Sequence, residues 1–196
     1  QTANGWFSPQ LFYRKIEDYI QGVVSTDTVA NTVSTMMSGL PALEFQNIDA
    51  RISGIDIGYG RRLSHHLSLE GNLSYVRGKD TENNDYLYRI APLNNRLALT
   101  WQGETISLTA ESILYAKQTK VARYNSEQKS AGYGIFNLRT DYKIADNLTF
   151  AAGAENLFDK RYQDHLAGYN RNGDSDVPVG EPVSYTHLRA HETWSY

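Results

Sequence analysis

The chain has 196 residues, a formal net charge of -3 and no cysteine. The small net charge argues against a nucleic-acid partner, and the missing thiols exclude disulfide frameworks and thiolate metal sites. No run of about 18 apolar residues occurs, so the sequence also excludes a membrane-spanning helix. A mean hydropathy of -0.53 is compatible with a strand-built barrel that has a polar interior.

The first predicted strands lie at residues 7–20 and 48–59. Residues 7–20 are aromatic-rich and extended, although their alternation slips near Lys15. In residues 48–59 the apolar positions change parity across Ser53 and Gly54, which predicts a β-bulge at that point.

The clearest strand signal is the segment HLSLEGNLSY at residues 66–75, where apolar and polar residues alternate almost throughout. Such a period of two is typical of a strand with one apolar and one polar face. Residues 97–101, 106–114, 136–144 and 148–154 repeat the pattern, and no helical period of comparable length competes with it. The sequence therefore predicts seven antiparallel strands.

The connections between these strands are sorted by length. Tight turns at residues 60–65, 102–104 and 145–147 alternate with long connections at residues 23–46, 79–87, 117–132 and 159–182. Strands of about ten residues with short turns at one end and long loops at the other are typical of transmembrane antiparallel β-barrels. We therefore expect part of such a barrel, with its apolar face toward lipid. A soluble β-protein is the structural alternative.

Aromatic residues near the strand ends favour the membrane interpretation. Girdles of aromatic side chains mark both interfaces of such barrels, although tyrosine is also common in ordinary strands. The predicted girdle residues are Tyr59, Trp101 and Tyr142 before the tight turns, and Tyr75, Tyr115 and Tyr133 near the long loops.

The two ends of the chain are unusual. Gln1 is not a start residue, so we expect a piece of a longer protein. The stretch VSYTHLRAHET at residues 183–193 matches a translated transposon-type sequencing adapter, follows a Gly/Pro-rich loop and shows no strand alternation. We interpret residues 1–182 as the native part and residues 183–196 as a non-native tail. A further barrel strand is then expected in its place, because closed barrels have no free edge.

One motif is similar to a known family. The stretch AENLFDKRYQDHLAGYNR at residues 154–171 resembles the penultimate-strand signature of TonB-dependent outer-membrane receptors, and YRIAPLNNRLALTW and SPQLFYRKIEDYIQG also look like strands of that family. The resemblance covers residues 1–182 and favours the branch with copper-receptor-like members. The residues that carry the motif are Asn156, Leu157, Phe158, Asp159 and Tyr162.

This resemblance implies a barrel of about 22 strands plugged by an N-terminal domain in the outer membrane of a Gram-negative bacterium. Such receptors import a scarce ligand with energy passed through the TonB complex, which they contact through the plug. The partners implied are outer-membrane lipid, the TonB complex and a small transported ligand. The ligand would be a metal or metal chelate, such as copper or a ferric siderophore, and no cofactor is implied. A passive porin and a ligand-binding adhesin are the alternatives.

The parity of the last predicted strand places Asn156 toward lipid, where a polar group is costly. We therefore expect it at the outer interface or on a bulge, with Phe158 and Tyr162 as further girdle residues.

Three residues are candidate ligands on the long-loop side. Met36 and Met37 lie in the longest loop, and thioethers suit Cu(I); the alternative is that they pack a folded loop. His165 is the single histidine on that side within residues 1–182. His65 and His66 lie in a tight turn and are expected to be solvated.

Two acidic stretches are weaker candidates. DTENND at residues 80–85 has carboxylates for Ca²⁺, but a solvated loop is the alternative we favour. NRNGDSDVPVGE at residues 170–181 has an EF-hand-like spacing, yet Ser175 occupies the position that requires glycine, so we interpret it as a loop. No Ser/His/Asp set falls on adjacent predicted elements, and we do not expect an enzyme.

Overall fold

The structure, a computed structural model, describes residues 4–125 and 127–167 and the backbone of residues 183–190. In this part of the chain, nine strands form one antiparallel sheet in the order β1-β2-β3-β5-β6-β7-β8-β9, with β4 pairing to β3. The strands are β1 (Gly5–Val24), β2 (Leu43–Arg62), β3 (Leu67–Asp80), β4 (Asp85–Tyr86), β5 (Asn94–Gln102), β6 (Ile106–Tyr115), β7 (Tyr133–Ala145), β8 (Leu148–Glu155) and β9 (Val183–Ala190). One helix, α1 (Thr28–Ser38), and a 3-10 turn, His165–Ala167, complete the elements.

All seven predicted strands are present, as β1, β2, β3, β5, β6, β7 and β8, and each long strand pairs with its neighbour along the chain. The predicted all-β antiparallel architecture is therefore confirmed. Both strands of the first hairpin are 20 residues long, well beyond their predicted bounds.

The sheet has two chemically distinct faces. Directly paired residues share a face, and residues alternate between faces along each strand. The pairs Leu69↔Leu99, Leu99↔Ala110 and Ala110↔Leu138 run across four strands, and we call their side the apolar face. On the other side, the polar face, Glu70↔Ala98, Ala98↔Glu111 and Glu111↔Asn137 are paired.

The predicted bulge at Ser53 and Gly54 is wrong. β2 pairs without interruption through both residues on each of its edges. The irregularity lies instead in β1 between Ile16 and Tyr19, where Asp18 has a φ of 56°. This position agrees with the slip in alternation near Lys15.

The change of parity in β2 has a packing cause. Ile48 and Ala50 lie on the polar face, where they form a core cluster with Leu87, and all three are nearly inaccessible to solvent. Leu87 comes from the connection after β4, which packs against this end of the first hairpin. The apolar residues in the first half of β2 therefore pack in this core cluster, whereas those in the second half lie on the apolar face of the sheet.

Helix α1 lies within residues 23–46, for which the sequence predicts only a long connection. Asp27 caps its N-terminus, accepting hydrogen bonds from the N–H groups of Val29 (2.8 Å) and Ala30 (3.1 Å). Gly39 ends it with a φ of 70°, a conformation that glycine adopts without strain, and donates to the Thr35 carbonyl. Asp27 and Gly39 are therefore the residues in the sequence that indicate this helix.

The connections are sorted as predicted. Residues 63–66, 103–105 and 146–147 form the tight turns at one end of the sheet. Residues 25–42, 81–93 and 116–132 form the long connections at the other end. Among the described residues, no helix combines the length and apolar character that crossing a bilayer requires.

Val183–Ala190 lies in the stretch that lacks strand alternation and that we interpret as a tail, yet it pairs with β8 along its length. An edge strand presents a row of free N–H and C=O groups, and a following segment can pair with them whatever its side-chain pattern. The origin of residues 183–196 remains a prediction, and residues 191–196 lie outside the described part.

Candidate functional site

The NLFDKRY motif, residues 156–162, forms a compact turn where β8 ends. Asn156 has a φ of 50°, a left-handed conformation that asparagine tolerates better than most residues. Its side chain donates to the Lys160 carbonyl and accepts from the Lys160 N–H, both at 2.9 Å. Asp159 also has a positive φ, 49°, and donates through its N–H to the Asn156 carbonyl at 2.9 Å. These bonds close the turn.

Strand parity predicted that Asn156 faces lipid, and this prediction is wrong. Asn156 is 3% exposed, and its N–H donates to the Asn137 side-chain oxygen at 2.9 Å on the polar face. The positive φ at the end of β8 interrupts the alternation on which the parity argument depended.

The next two residues of the motif lie on the apolar face. The Leu157 N–H donates to the Phe136 carbonyl at 2.8 Å, and the Phe158 ring meets the Phe136 ring edge-on at 5.4 Å between centroids. Phe158 is 71% exposed, which suits the predicted girdle position. The motif thus crosses the rim of the sheet, with Asn156 on one side and Phe158 on the other.

Glu111 is the centre of a polar cluster in the middle of the sheet. It is 3% exposed and accepts a hydrogen bond from the Asn137 side-chain amide at 2.9 Å. Its carboxylate forms ion pairs with Arg96 on one neighbouring strand and with Arg139 on the other, the latter at 3.2 Å. Arg139 also lies 3.6 Å from Glu155. Through Asn137 this cluster is continuous with the turn at Asn156.

A stack of three tyrosines lies beside the motif. Tyr133 lies between Tyr115 and Tyr162, at centroid distances of 4.9 and 4.3 Å. Tyr115 and Tyr133 are paired, and strand alternation puts them on the same face as Glu111 and Asn137. The girdle prediction is therefore wrong for Tyr115 and Tyr133, and also for Tyr162, which stacks on them.

The other four predicted girdle residues are on the apolar face. Tyr75 is paired with Ile55, Tyr59 with Gly71, Trp101 with Leu67 and Tyr142 with Ile106. Trp101 and Tyr142 are 43% and 44% exposed and lie near the tight turns. Their role as an interfacial girdle stays a prediction.

A buried cluster joins three of the long connections. Glu127 accepts from the Arg89 N–H at 2.9 Å and from the Ala122 N–H at 2.7 Å. The His165 ring lies between Glu127, 3.2 Å from Nε2, and the Ser130 hydroxyl, 3.1 Å from Nδ1. His165 is 4% exposed, and its Nε2 lies near Glu127 without forming a hydrogen bond. Burial keeps the ring away from solvent, and its role as a ligand stays a prediction.

Asp85 is a second buried connection between loops. It is 1% exposed and accepts from the N–H groups of Arg123 (2.8 Å) and Tyr124 (3.2 Å). Arg123 Nε also lies 3.1 Å from its carboxylate. The connection after β6 is thereby fixed to β4.

Met36 and Met37 lie near the end of α1 and are 84% and 83% exposed. Neither side chain packs against the described residues to any large extent, which gives no support to the alternative that they pack a folded loop. Their thioethers are accessible to solvent, and copper ligation stays a prediction.

The remaining candidates lie as follows. Asp80 is buried and accepts from the Glu82 and Asn83 N–H groups, so its carboxylate closes a turn instead of facing solvent. His65 and His66 are exposed, as expected. Residues 170–181 lie outside the described part. Within the described residues, no group of three or more His, Asp or Glu side chains is arranged to hold a metal ion.

Comparison with known proteins agrees with this architecture. Residues 2–157 match the family described as TonB dependent receptor-like, beta-barrel. The chain belongs to the TonB-dependent receptor β-barrel family.

Three relatives of this TonB-dependent receptor chain illustrate the match. The ferric enterobactin receptor PirA of Pseudomonas aeruginosa is 28% identical over 168 residues, which are 81% of this chain and 22% of PirA. The copper transporter OprC superposes with a TM-score of 0.83 at 25% identity, covering 97% of this chain and 29% of OprC. A mutant of the ferric enterobactin receptor PfeA from P. aeruginosa gives 0.72 at 22% identity over 97% of this chain and 29% of PfeA, which shows the fold alone. The chain thus spans less than a third of each of these proteins.

Proposed function

We propose that the complete protein is an active receptor in the outer membrane of a Gram-negative bacterium that imports a metal or metal chelate with TonB-coupled energy. The observation that carries the proposal is the family match over residues 2–157. The TonB complex and the plug through which it would act lie outside this chain's match, so these partners come from the family.

The charged residues of the polar face support the proposal that this face lines a hydrated barrel interior. Glu111 is nearly inaccessible, but the side chains of its partners Arg96 and Arg139 remain 44% and 37% exposed. Half-exposed, charge-paired arginines keep part of their positive charge in contact with solvent, which is suited to a polar plug domain or a hydrated anionic ligand.

The long-loop end supports ligand capture. Glu127 and His165 connect residue 89, residues 122 and 130, and residue 165, which belong to three different connections. Asp85 binds residues 123 and 124 to β4. Loops held together by buried groups can form one preorganised surface, which lowers the ordering cost of binding.

Two relatives suggest two ligand classes. PirA is called a ferric enterobactin receptor and OprC a copper transporter. We give copper first place because OprC superposes at a TM-score of 0.83, and because Met36 and Met37 expose thioethers that suit Cu(I). A ferric siderophore is the second candidate.

The test is uptake of labelled copper and of labelled ferric enterobactin by cells that express the complete gene, with and without TonB. Uptake of either ligand that requires TonB supports the proposal. Uptake that persists without TonB would indicate a passive porin, and binding without uptake under both conditions would indicate an adhesin.

A paired variant tests the copper assignment. We expect Met36→Ala with Met37→Ala to reduce copper uptake several-fold, because it removes both thioethers from α1. Val29→Ala with Val33→Ala on the same exposed helix is the matched control and should leave uptake unchanged. Equal uptake by both variants would exclude the two methionines as copper ligands.

A further inference from the structure

A row of basic residues crosses the first three strands on the apolar face. Lys15 is paired directly with Arg51, and Arg51 directly with Lys79. Arg77 lies two residues before Lys79 on the same face of β3. The row lies toward the long-loop end, immediately beyond the apolar residues of these strands.

These charges have no anionic partner in the described part of the chain. None of the ion pairs there includes Lys15, Arg51, Arg77 or Lys79. Like charges directly opposite each other in a sheet are destabilising. Asp49 lies two residues from Arg51 on the same face but forms no ion pair with the row, so the three cations keep positive charge for an anion from outside the described residues.

A tyrosine ring contacts two of these cations. The Arg77 and Lys79 cations each lie 5.7 Å from the centroid of the Tyr86 ring. Nearby, the Lys120 ammonium donates to the Tyr75 hydroxyl at 3.1 Å and adds a fifth positive charge. Cations positioned against rings lose less side-chain entropy when they bind a ligand.

An apolar groove leads up to the cations. It has a volume of about 530 Å³ and lies between β1, β2 and β3. Ser53 provides a short side chain at the centre of the groove, and Arg77 lies at its long-loop end. The residues of the apolar face that line it are Leu11, Tyr13, Ser53, Ile55, Tyr75 and Arg77.

We propose that this surface binds an anionic lipid of the outer leaflet, with the lipid phosphates on the row formed by Lys15, Arg51 and Lys79 together with Arg77, and an acyl chain in the groove. The site lies on the face opposite Glu111, so it is separate from the interior through which a ligand would pass. Continuity between an apolar groove and a cation row favours an amphiphile over a free anion. The inference rests on the proposed membrane location but not on TonB-coupled import.

The test uses the complete receptor in neutral maltoside micelles that contain a diphosphorylated lipid A. The variant carries Arg51→Gln, Arg77→Gln and Lys79→Gln. The matched control carries Arg61→Gln, Arg62→Gln and Lys143→Gln, which remove three cations near the tight turns. Lipid bound after gel filtration is measured by native mass spectrometry, and the rise in unfolding temperature on lipid addition is measured in parallel.

We expect the wild type and the control to retain lipid A and to gain thermal stability from it, and the variant to bind at least tenfold more weakly. Without lipid, the variant should unfold at the same temperature as the wild type or higher, because like-charge repulsion is relieved.

Three results would overturn the proposal: equal lipid retention by all three proteins, equal binding of the dephosphorylated glycolipid, or full competition by equimolar inorganic phosphate. If the triple variant does not fold, the single variants Arg77→Gln and Lys79→Gln give the same comparison. The TonB-dependent uptake assay is independent, so its result separates failure of this site from failure of the import proposal.

Discussion

Asn156 shows how one residue can connect two environments. Its backbone turns the chain at the end of β8, its side chain closes the turn through Lys160, and its N–H reaches Asn137 on the polar face. Few residues combine tolerance of a positive φ with a side chain that both donates and accepts. This combination explains the asparagine of the NLFDKRY motif.

We expect Asn156→Ala to lower the free energy of unfolding by about 2–3 kcal/mol. The variant loses both side-chain hydrogen bonds to Lys160, and alanine has no side-chain hydrogen bond that would offset the strain of a positive φ. Asn156→Gly keeps the backbone conformation and should cost about 1–2 kcal/mol. Urea unfolding of the complete receptor in lipid vesicles measures both. A glycine variant less stable than the alanine variant would contradict this account.

Glu111 offers a second test at the scale of one residue. Glu111→Gln keeps the shape but leaves Arg96 and Arg139 without their shared carboxylate, and should cost about 1–2 kcal/mol because both guanidinium groups are partly solvated. Glu70→Gln, an exposed position on the same face, should change the free energy of unfolding by less than about 0.5 kcal/mol. The same urea titration compares them, and similar effects of the two changes would exclude a special role for Glu111.

At the scale of elements, β3 and β5 explain why the two faces differ so clearly. Leu69 lies directly opposite Leu99, whereas the adjacent Glu70 lies opposite Ala98. A shift of one residue in this pairing would exchange the faces of the whole strand, so the alternation fixes the register.

We expect Leu69→Arg and Leu99→Arg each to destabilise the protein in lipid by about 2–4 kcal/mol if the apolar face lies near the bilayer midplane. Glu70→Arg introduces the same side chain on the opposite face of β3 and is the control. Folding into lipid vesicles, followed by heat-modifiable gel migration, measures the fraction folded. Greater damage from Glu70→Arg than from both leucine changes would mean that the faces are reversed.

At the scale of the whole molecule, the sheet has tight turns at one end and long connections at the other. Tight turns need few side-chain contacts, whereas the long connections are fixed by buried carboxylates at Asp85 and Glu127. Glu127 serves residues 89, 122 and 165 at once. The loop surface is therefore expected to order as one unit.

We expect Glu127→Ala to increase hydrogen exchange of the Arg89 and Ala122 amides at least tenfold, equivalent to about 1.4 kcal/mol, because both lose their acceptor. Glu127→Gln retains an acceptor oxygen and should give a smaller change. The Thr109 amide in β6 serves as an internal reference that should not change. Unaltered exchange in the alanine variant would contradict the linkage between these loops.

The origin of residues 183–196 has its own test, which is to sequence the source locus across this region. We expect the codons for VSYTHLRAHET to be replaced by codons for a segment with strand alternation. Genomic DNA that encodes this peptide would contradict the adapter interpretation.

The sequence by itself determined the strands, their order and the sorting of their connections. Alternation with a period of two is local, and short turns force neighbouring strands to pair. The helix caps at Asp27 and Gly39 are local signals of the same kind. The NLFDKRY resemblance likewise indicated the family from consecutive residues, and residues 2–157 match it.

Only the tertiary structure decided which groups meet across the sheet and between loops. Strand parity placed Asn156 on the apolar face, but its positive φ ends the alternation at the end of β8. Likewise, the burial of His165 by Glu127 and Ser130 depends on segments 35 and more residues apart, whose contact no local pattern encodes. Backbone dihedral angles at strand ends and contacts between distant loops arise from packing, which a period-two pattern does not describe.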